Sequence, residues 1–127
     1  MAKILGVGGV FFRAKEPSAT QQWYADNLGI SADKDGYVVF ESRRRNEDVD
    51  ESMVWSPFKS ETEYFGDSGQ EFMVNYIVDD LDGMRAQLKA AGVEVLDKVE
   101  AMEGFGQFGW AVDCDGRRME LWEPERE

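Results

Sequence analysis

The chain repeats its own structural signals, and that repeat narrows the available folds more than any other feature. In each half a β-prone run leads into a helical segment that stops at glycine, and further β-prone runs follow. Gly29-Ile30 superposes on Gly92-Val93 at an offset of 63, and Trp55-Ser56-Pro57 on Trp122-Glu123-Pro124 at an offset of 67. Self-similarity at such a period marks a duplicated supersecondary unit. A unit of about sixty residues buries too little surface to stand alone, so the halves are expected to pair. The expected organisation is one domain over 1–127, with module one at about 3–57 and module two at about 71–124.

The helices are marked by start signals, apolar spacing and stops. The first opens at Ser18 after Pro17, with Gln21 completing a capping box, carries Trp23, Tyr24 and Leu28, and ends at Gly29. The second opens at Asp79 or Asp80, carries Leu81, Met84, Leu88 and Ala91 at spacings of three and four, and ends at Gly92. Strands are predicted over 4–12, 37–40, 53–55, 72–78, 93–96, 108–112 and 119–122. Asp113-Cys114-Asp115-Gly116 joins the last two as a hairpin turn. The segments 41–52 and 59–70 are polar and turn-rich and read as long loops, either lids or simple connections.

Composition removes whole classes of function. Twenty-six acidic and fourteen basic side chains leave a formal charge of -12, which repels nucleic acid and anionic lipid. The cluster Arg43-Arg44-Arg45 is followed at once by Glu47, Asp48, Asp50 and Glu51 and reads as a self-neutralised, solvated loop. The longest apolar run, Ile4 to Phe12, is shorter than a membrane span and leads into Arg13-Ala14-Lys15-Glu16 rather than a cleavage site, so a cytoplasmic protein is expected. The chain has no histidine and one cysteine, Cys114, which excludes an intrachain disulfide, the usual zinc sites and His-based acid–base pairs. Gly104-Phe105-Gly106-Gln107-Phe108-Gly109 carries the letters of a dinucleotide loop but leads into a strand instead of a helix, and is rejected as one.

Taken together, Gly6 to Phe12 leading to Pro17, the helix with Trp23-Tyr24 and Leu28-Gly29-Ile30, Val78-Asp79-Asp80-Leu81-Asp82, Ala91-Gly92-Val93 and Asp113 to Pro124 resemble the vicinal oxygen chelate superfamily. That superfamily includes glyoxalase I, extradiol dioxygenases and the bleomycin-resistance proteins. The resemblance implies an α+β fold in which two paired βαβββ modules form a curled sheet around a cleft, and a homodimer. Metal-dependent members bind one divalent ion through four strand positions. Those positions fall here on Gly9, Met73, Met53 and Glu120, of which only Glu120 keeps a suitable oxygen donor. No metal and no cofactor are therefore expected, unless a register shift brings Asn75 or Gln107 into the set.

With the ligand-equivalent positions taken to face the cleft, strand alternation sorts the other side chains. Gly9, Phe11 and Arg13, Met53 and Trp55, Met73, Asn75 and Ile77, and Glu120 and Trp122 share the cleft face. If the hairpin loop has two or four residues, Gln107, Gly109 and Ala111 join them. The opposite face collects Val10, Phe12, Val54, Val74, Tyr76, Phe108, Trp110, Val112, Met119 and Leu121 beneath the helices. The candidate ligand-binding residues are Phe11, Arg13, Met53, Trp55, Met73, Asn75, Gln107, Glu120 and Trp122, mostly apolar with a few orienting groups. Glu120 is the candidate catalytic residue, since burial raises a carboxyl's pKa; equally, it serves structure if bonded to Arg13, Asn75 or water.

Three functions follow. The first is a metal-independent binder of an apolar or cationic small molecule, of the glyoxalase/bleomycin-resistance type. The second is a divergent lyase or isomerase using Glu120, with an atypical metal or with metal-free acid–base chemistry. The third is a dimeric interaction module whose cleft is filled by its own side chains.

Overall fold

The computed structural model describes residues 1–32, 36–42 and 51–125. The chain runs β1 (Ile4–Ala14), α1 (Pro17–Leu28), β2 (Val38–Ser42), β3 (Glu51–Lys59), β4 (Phe72–Val78), α2 (Leu81–Ala90), β5 (Val95–Met102), β6 (Gly106–Val112) and β7 (Arg118–Pro124). This is an α+β fold with one seven-stranded mixed sheet in the order β2-β3-β1-β4-β7-β6-β5. Each half places its first strand parallel to its last, β1 beside β3 and β4 beside β7, and an antiparallel β1–β4 pairing joins the halves. That arrangement agrees with paired βαβββ modules, complete in the second half and with two strands after the helix in the first among the described residues. The curl expected of the sheet is not pronounced: the ladder is open, with β2 and β5 as edges. The Arg43-Arg44-Arg45 cluster lies outside the described residues.

The helices are held in different ways. Asp80 caps α2 by accepting from the Gly83 N–H at 3.1 Å, and Leu81 and Met84 are buried against Ala2, Val78, Ala111 and Leu121. α1 begins earlier than the predicted Ser18 cap, because Pro17 takes a first-turn position and Glu16 precedes it without a side-chain cap. Gly29 ends α1 in the left-handed region at φ 71°, as its sequence position indicates. No residue of α1 is buried; Tyr24 anchors it on Trp55 and Phe12, at ring separations of 4.9 and 6.3 Å.

Two strands show the face opposite to expectation. In β3 the ladder sets Gly9 beside Val54, while β4 and β7 set Asn75 beside Glu120. Gly9 also pairs with Asn75 across the seam, so Val54 is the counterpart of Glu120, one residue away from the match made by the Trp-x-Pro repeat. A slip of one residue turns every side chain over. Val54, Ser56 and Phe58 therefore face the cleft, whereas Trp55 packs under α1 and Met53 is exposed.

In β6 the cause is loop length. Asp113 N–H donates to the Arg117 carbonyl at 2.8 Å, which leaves Cys114, Asp115 and Gly116 as a three-residue tip, and Gly116 takes φ 88°. An odd tip pairs Phe108 with Trp122 and Trp110 with Glu120. Phe108 and Trp110 thus turn toward the cleft side, while Ala111 goes into the α2 core and Gly109 lies beneath Leu81 and Arg85.

Candidate functional site

Glu120 lies in β7, only 2% exposed, between two strands that each supply a donor. Its ladder partner in β4, Asn75, donates through Nδ2 to Oε1 at 2.6 Å, and its partner in β6, Trp110, donates through Nε1 to Oε2 at 3.1 Å. The third donor comes from the 59–70 connection, where the Tyr64 hydroxyl also bonds Oε2. Room for the Asn75 amide is made by the bulge at Gly8, where a Cβ would collide with Asn75 Oδ1. Of the structural partners expected for Glu120, Asn75 is present; Arg13 is engaged elsewhere.

Arg13 instead holds the connection that carries Tyr64. Its guanidinium donates to the carbonyls of Ser60, Thr62 and Gln70 at 2.6, 2.9 and 2.8 Å and lies 5.1 Å from the centre of the Phe65 ring. Arg118 adds a bond to the Tyr64 carbonyl at 3.2 Å. Phe65 is fully buried against Phe11, Met73 and Trp110. The segment read as a lid or simple connection is a packed wall of the site.

Between this wall and the sheet lies a cavity of about 230 Å³. Of the predicted ligand-binding residues, Phe11, Asn75, Glu120 and Trp122 border it. Met73 lies wholly in the core, Arg13 serves the 59–70 wall, and Met53 and Trp55 are turned away as described above. Gln107 borders a separate groove together with Glu123 and Glu125. Val54, Ser56, Phe58, Tyr64 and Phe108 border the cavity at Glu120 and escaped the sequence reading, as did Glu100, Met102, Phe105 and Tyr37. Of these, Tyr64 had a usable signal: Tyr64-Phe65 is an adjacent aromatic pair inside an otherwise polar stretch.

Burial is the main influence on the charge of Glu120 and pushes its carboxyl above the ordinary 4.5; the three hydrogen bonds oppose that rise and the charge of Glu100 adds to it. The Tyr64 hydroxyl is pushed far above its usual 10, first by burial and then by the Glu120 charge. The Tyr64 hydroxyl therefore keeps its proton and donates a hydrogen bond to Glu120.

The residues do not fit the superfamily's divalent ion. By ladder register its four positions fall on Gly9, Val54, Asn75 and Glu120, which replaces the predicted Met73 and Met53 and leaves two oxygen-bearing side chains, Asn75 bonding Glu120 through Nδ2 while its own Oδ1 has no partner among the described residues. Hard cations take six or more oxygen ligands, and among the described residues no group of three or more His, Cys, Asp or Glu is placed to hold one.

The strand order, the paired halves and the cleft between them are those of the vicinal oxygen chelate fold. Comparison with solved structures establishes that fold over nearly the whole chain. Methylmalonyl-CoA epimerase from Mycobacterium tuberculosis superposes with a TM-score of 0.63 at 18% identity, covering 97% of this chain and 90% of that one. A Streptomyces coelicolor methylmalonyl-CoA epimerase variant in complex with 2-nitronate-propionyl-CoA gives 0.67 at 14% identity, covering 98% and 100%. A structure described as NAD-dependent benzaldehyde dehydrogenase from Legionella pneumophila gives 0.60 at 13% identity, covering 92% and 98%. No family model and no curated protein matches the sequence.

Proposed function

We propose that the protein binds a small molecule with a largely apolar body in the cavity floored by Glu120, and that it does so without a resident metal. The observation that carries this reading is a buried carboxylate held by three donors beneath a hollow bordered mainly by aromatic and aliphatic side chains. Small-molecule sites have this composition, with a few polar groups to set orientation. Their volumes usually start at about 300 Å³, so the guest is small or leaves part of itself outside. Acyl-CoA ligands, such as the one in the epimerase complex, carry several phosphates. The described residues bordering this cavity include Glu100 and Glu120 and no cation, which favours a neutral or positively charged guest. A thermal-shift and calorimetric panel of small aromatic, cationic and anionic compounds tests this. Stabilisation is expected from apolar or cationic members and is lost in Trp122→Ala; a panel without any stabilising member removes the proposal.

A second reading adds chemistry at the same place. Its support is the raised affinity of Glu120 for a proton beside the Tyr64 hydroxyl, which is the arrangement of a general acid or base in a lyase or isomerase. Solvent deuterium exchanging into the carbon acid of added methylmalonyl-CoA, and failing to do so in Glu120→Gln, would establish it; equal background rates in both proteins discard it.

The same proposal treats 1–127 as one domain, with modules at about 3–57 and 71–124, in a cytoplasmic homodimer. The lone exposed Cys114 agrees with a reducing compartment, and exposed Val39, Phe40 and Met53 on β2 and β3 agree with self-association. Among the described residues no helix is long and apolar enough to cross a membrane.

A further inference from the structure

The cavity is bordered by aromatic rings and by two carboxylates. Phe58 stacks on Tyr64 at 5.3 Å and 16°, and Phe108 on Trp122 at 5.8 Å and 2°, and all four border the hollow with Phe11. Aromatic faces carry negative potential and attract cations within about 6 Å of the ring centre. The chain already uses this attraction twice: Arg13 lies 5.1 Å from the Phe65 ring centre and Lys98 5.7 Å from that of Trp110. Glu100 and Glu120 add negative charge at the border, and one oxygen of Glu100 is engaged by Lys98 at 2.7 Å.

The hydrogen-bond count narrows the guest further. An ionised carboxylate offers about four acceptor sites, and Tyr64, Asn75 and Trp110 occupy three on Glu120. The buried carboxylate therefore lacks a counter-charge more than it lacks donors. A positive group without N–H bonds, carrying its own apolar shell, supplies that charge at a lower desolvation cost than a primary ammonium and fits between rings. We infer that the cavity takes an alkylated ammonium group on a small apolar body, with the aromatic rings around the charge and the Glu120 carboxylate beneath it. This inference rests on the small-molecule-binding reading above and names the ligand class.

Phenyltrimethylammonium and tert-butylbenzene have nearly the same shape and differ in charge, so their dissociation constants, from NMR titration of the whole protein, provide the test. The cation is expected to bind at least about tenfold more tightly, the discrimination a desolvated cation–π site with a counter-charge supports. That ratio should fall toward one in Glu120→Gln. Glu100→Gln, at a more exposed position, is a second variant that should lower the ratio while leaving the fold intact. Equal or tighter binding of tert-butylbenzene overturns the ammonium inference and leaves the binding proposal standing. Failure of both compounds to bind overturns both. A preference for the cation that persists undiminished in both variants removes the carboxylates from the inference and overturns it as stated.

Discussion

Glu120 is a group that water solvates well, placed where only 2% of it is exposed, and its three donors are what make the position tolerable. A hydrogen bond to a charged group contributes about 1.5–3 kcal/mol, so Tyr64→Phe is expected to lower unfolding free energy by about that amount, measured by urea titration at neutral pH. The pH dependence has a definite sign. Because the folded protein raises the Glu120 pKa above 4.5, the folded state holds this proton more tightly than the unfolded chain. The contribution is fully present below the unfolded value and is lost as pH rises through the folded one. The stability of wild type relative to Glu120→Gln should therefore decline as pH is raised from 4.5 through the range where the folded carboxyl gives up its proton. A difference that grows over that range contradicts the assignment. In sequence, Glu120 stands out as the one oxygen donor among the ligand-equivalent positions; its donors Tyr64 and Trp110 do not, since one comes from a connection and the other from a strand whose facing depends on a turn.

At the scale of elements, turns and registers decide which side chains meet. The hairpin tip makes the point: Asp-Gly announces a turn between β6 and β7, but only the Asp113–Arg117 backbone bond shows that the tip is odd. Gly116 sits there at φ 88° with open space around its Cα, so Gly116→Ala meets no clash but incurs the left-handed backbone penalty. A loss of about 1 kcal/mol is expected, with binding at the cavity unchanged. The 59–70 wall gives a second prediction. Arg13→Met keeps the apolar stem but removes the bonds to Ser60, Thr62 and Gln70, so backbone amides of residues 62–66 should exchange hydrogen faster than in wild type while those of α2 do not. Equal protection in both proteins would show that Phe65 packing alone holds the wall. Element types were largely readable: β4 falls on its predicted 72–78, and both helices end at their glycines. The facing of β3 and β6 was not readable, because a one-residue change in register or loop leaves the local pattern intact while inverting every side chain.

Across the whole molecule, antiparallel pairing of β1 with β4 joins two halves into one sheet and brings Gly9 opposite Asn75, so that the cleft draws on both halves. The donor set assembled there predicts the response to metals. Millimolar Mn²⁺ or Zn²⁺ should leave Tm within about 1 °C of its value in chelator, since an ion bound to the folded state alone would raise it. Stoichiometric binding abolished by Glu120→Gln would refute that expectation.

The amino-acid order by itself determined the duplication, the element types, the acidic charge and the absence of histidine chemistry, because these depend on composition, on signals within a dozen residues and on the recurrence of those signals along the chain. It also singled out Glu120. Tertiary structure alone decided the surroundings of that carboxylate: Trp110 turned inward by an odd hairpin tip, Tyr64 held over the sheet by Arg13 and Arg118, and Trp55 turned outward by the β3 register. The physical reason is that burial and long-range hydrogen bonds are properties of pairs. Tyr64 and Glu120 lie 56 residues apart, and no local pattern encodes that they meet.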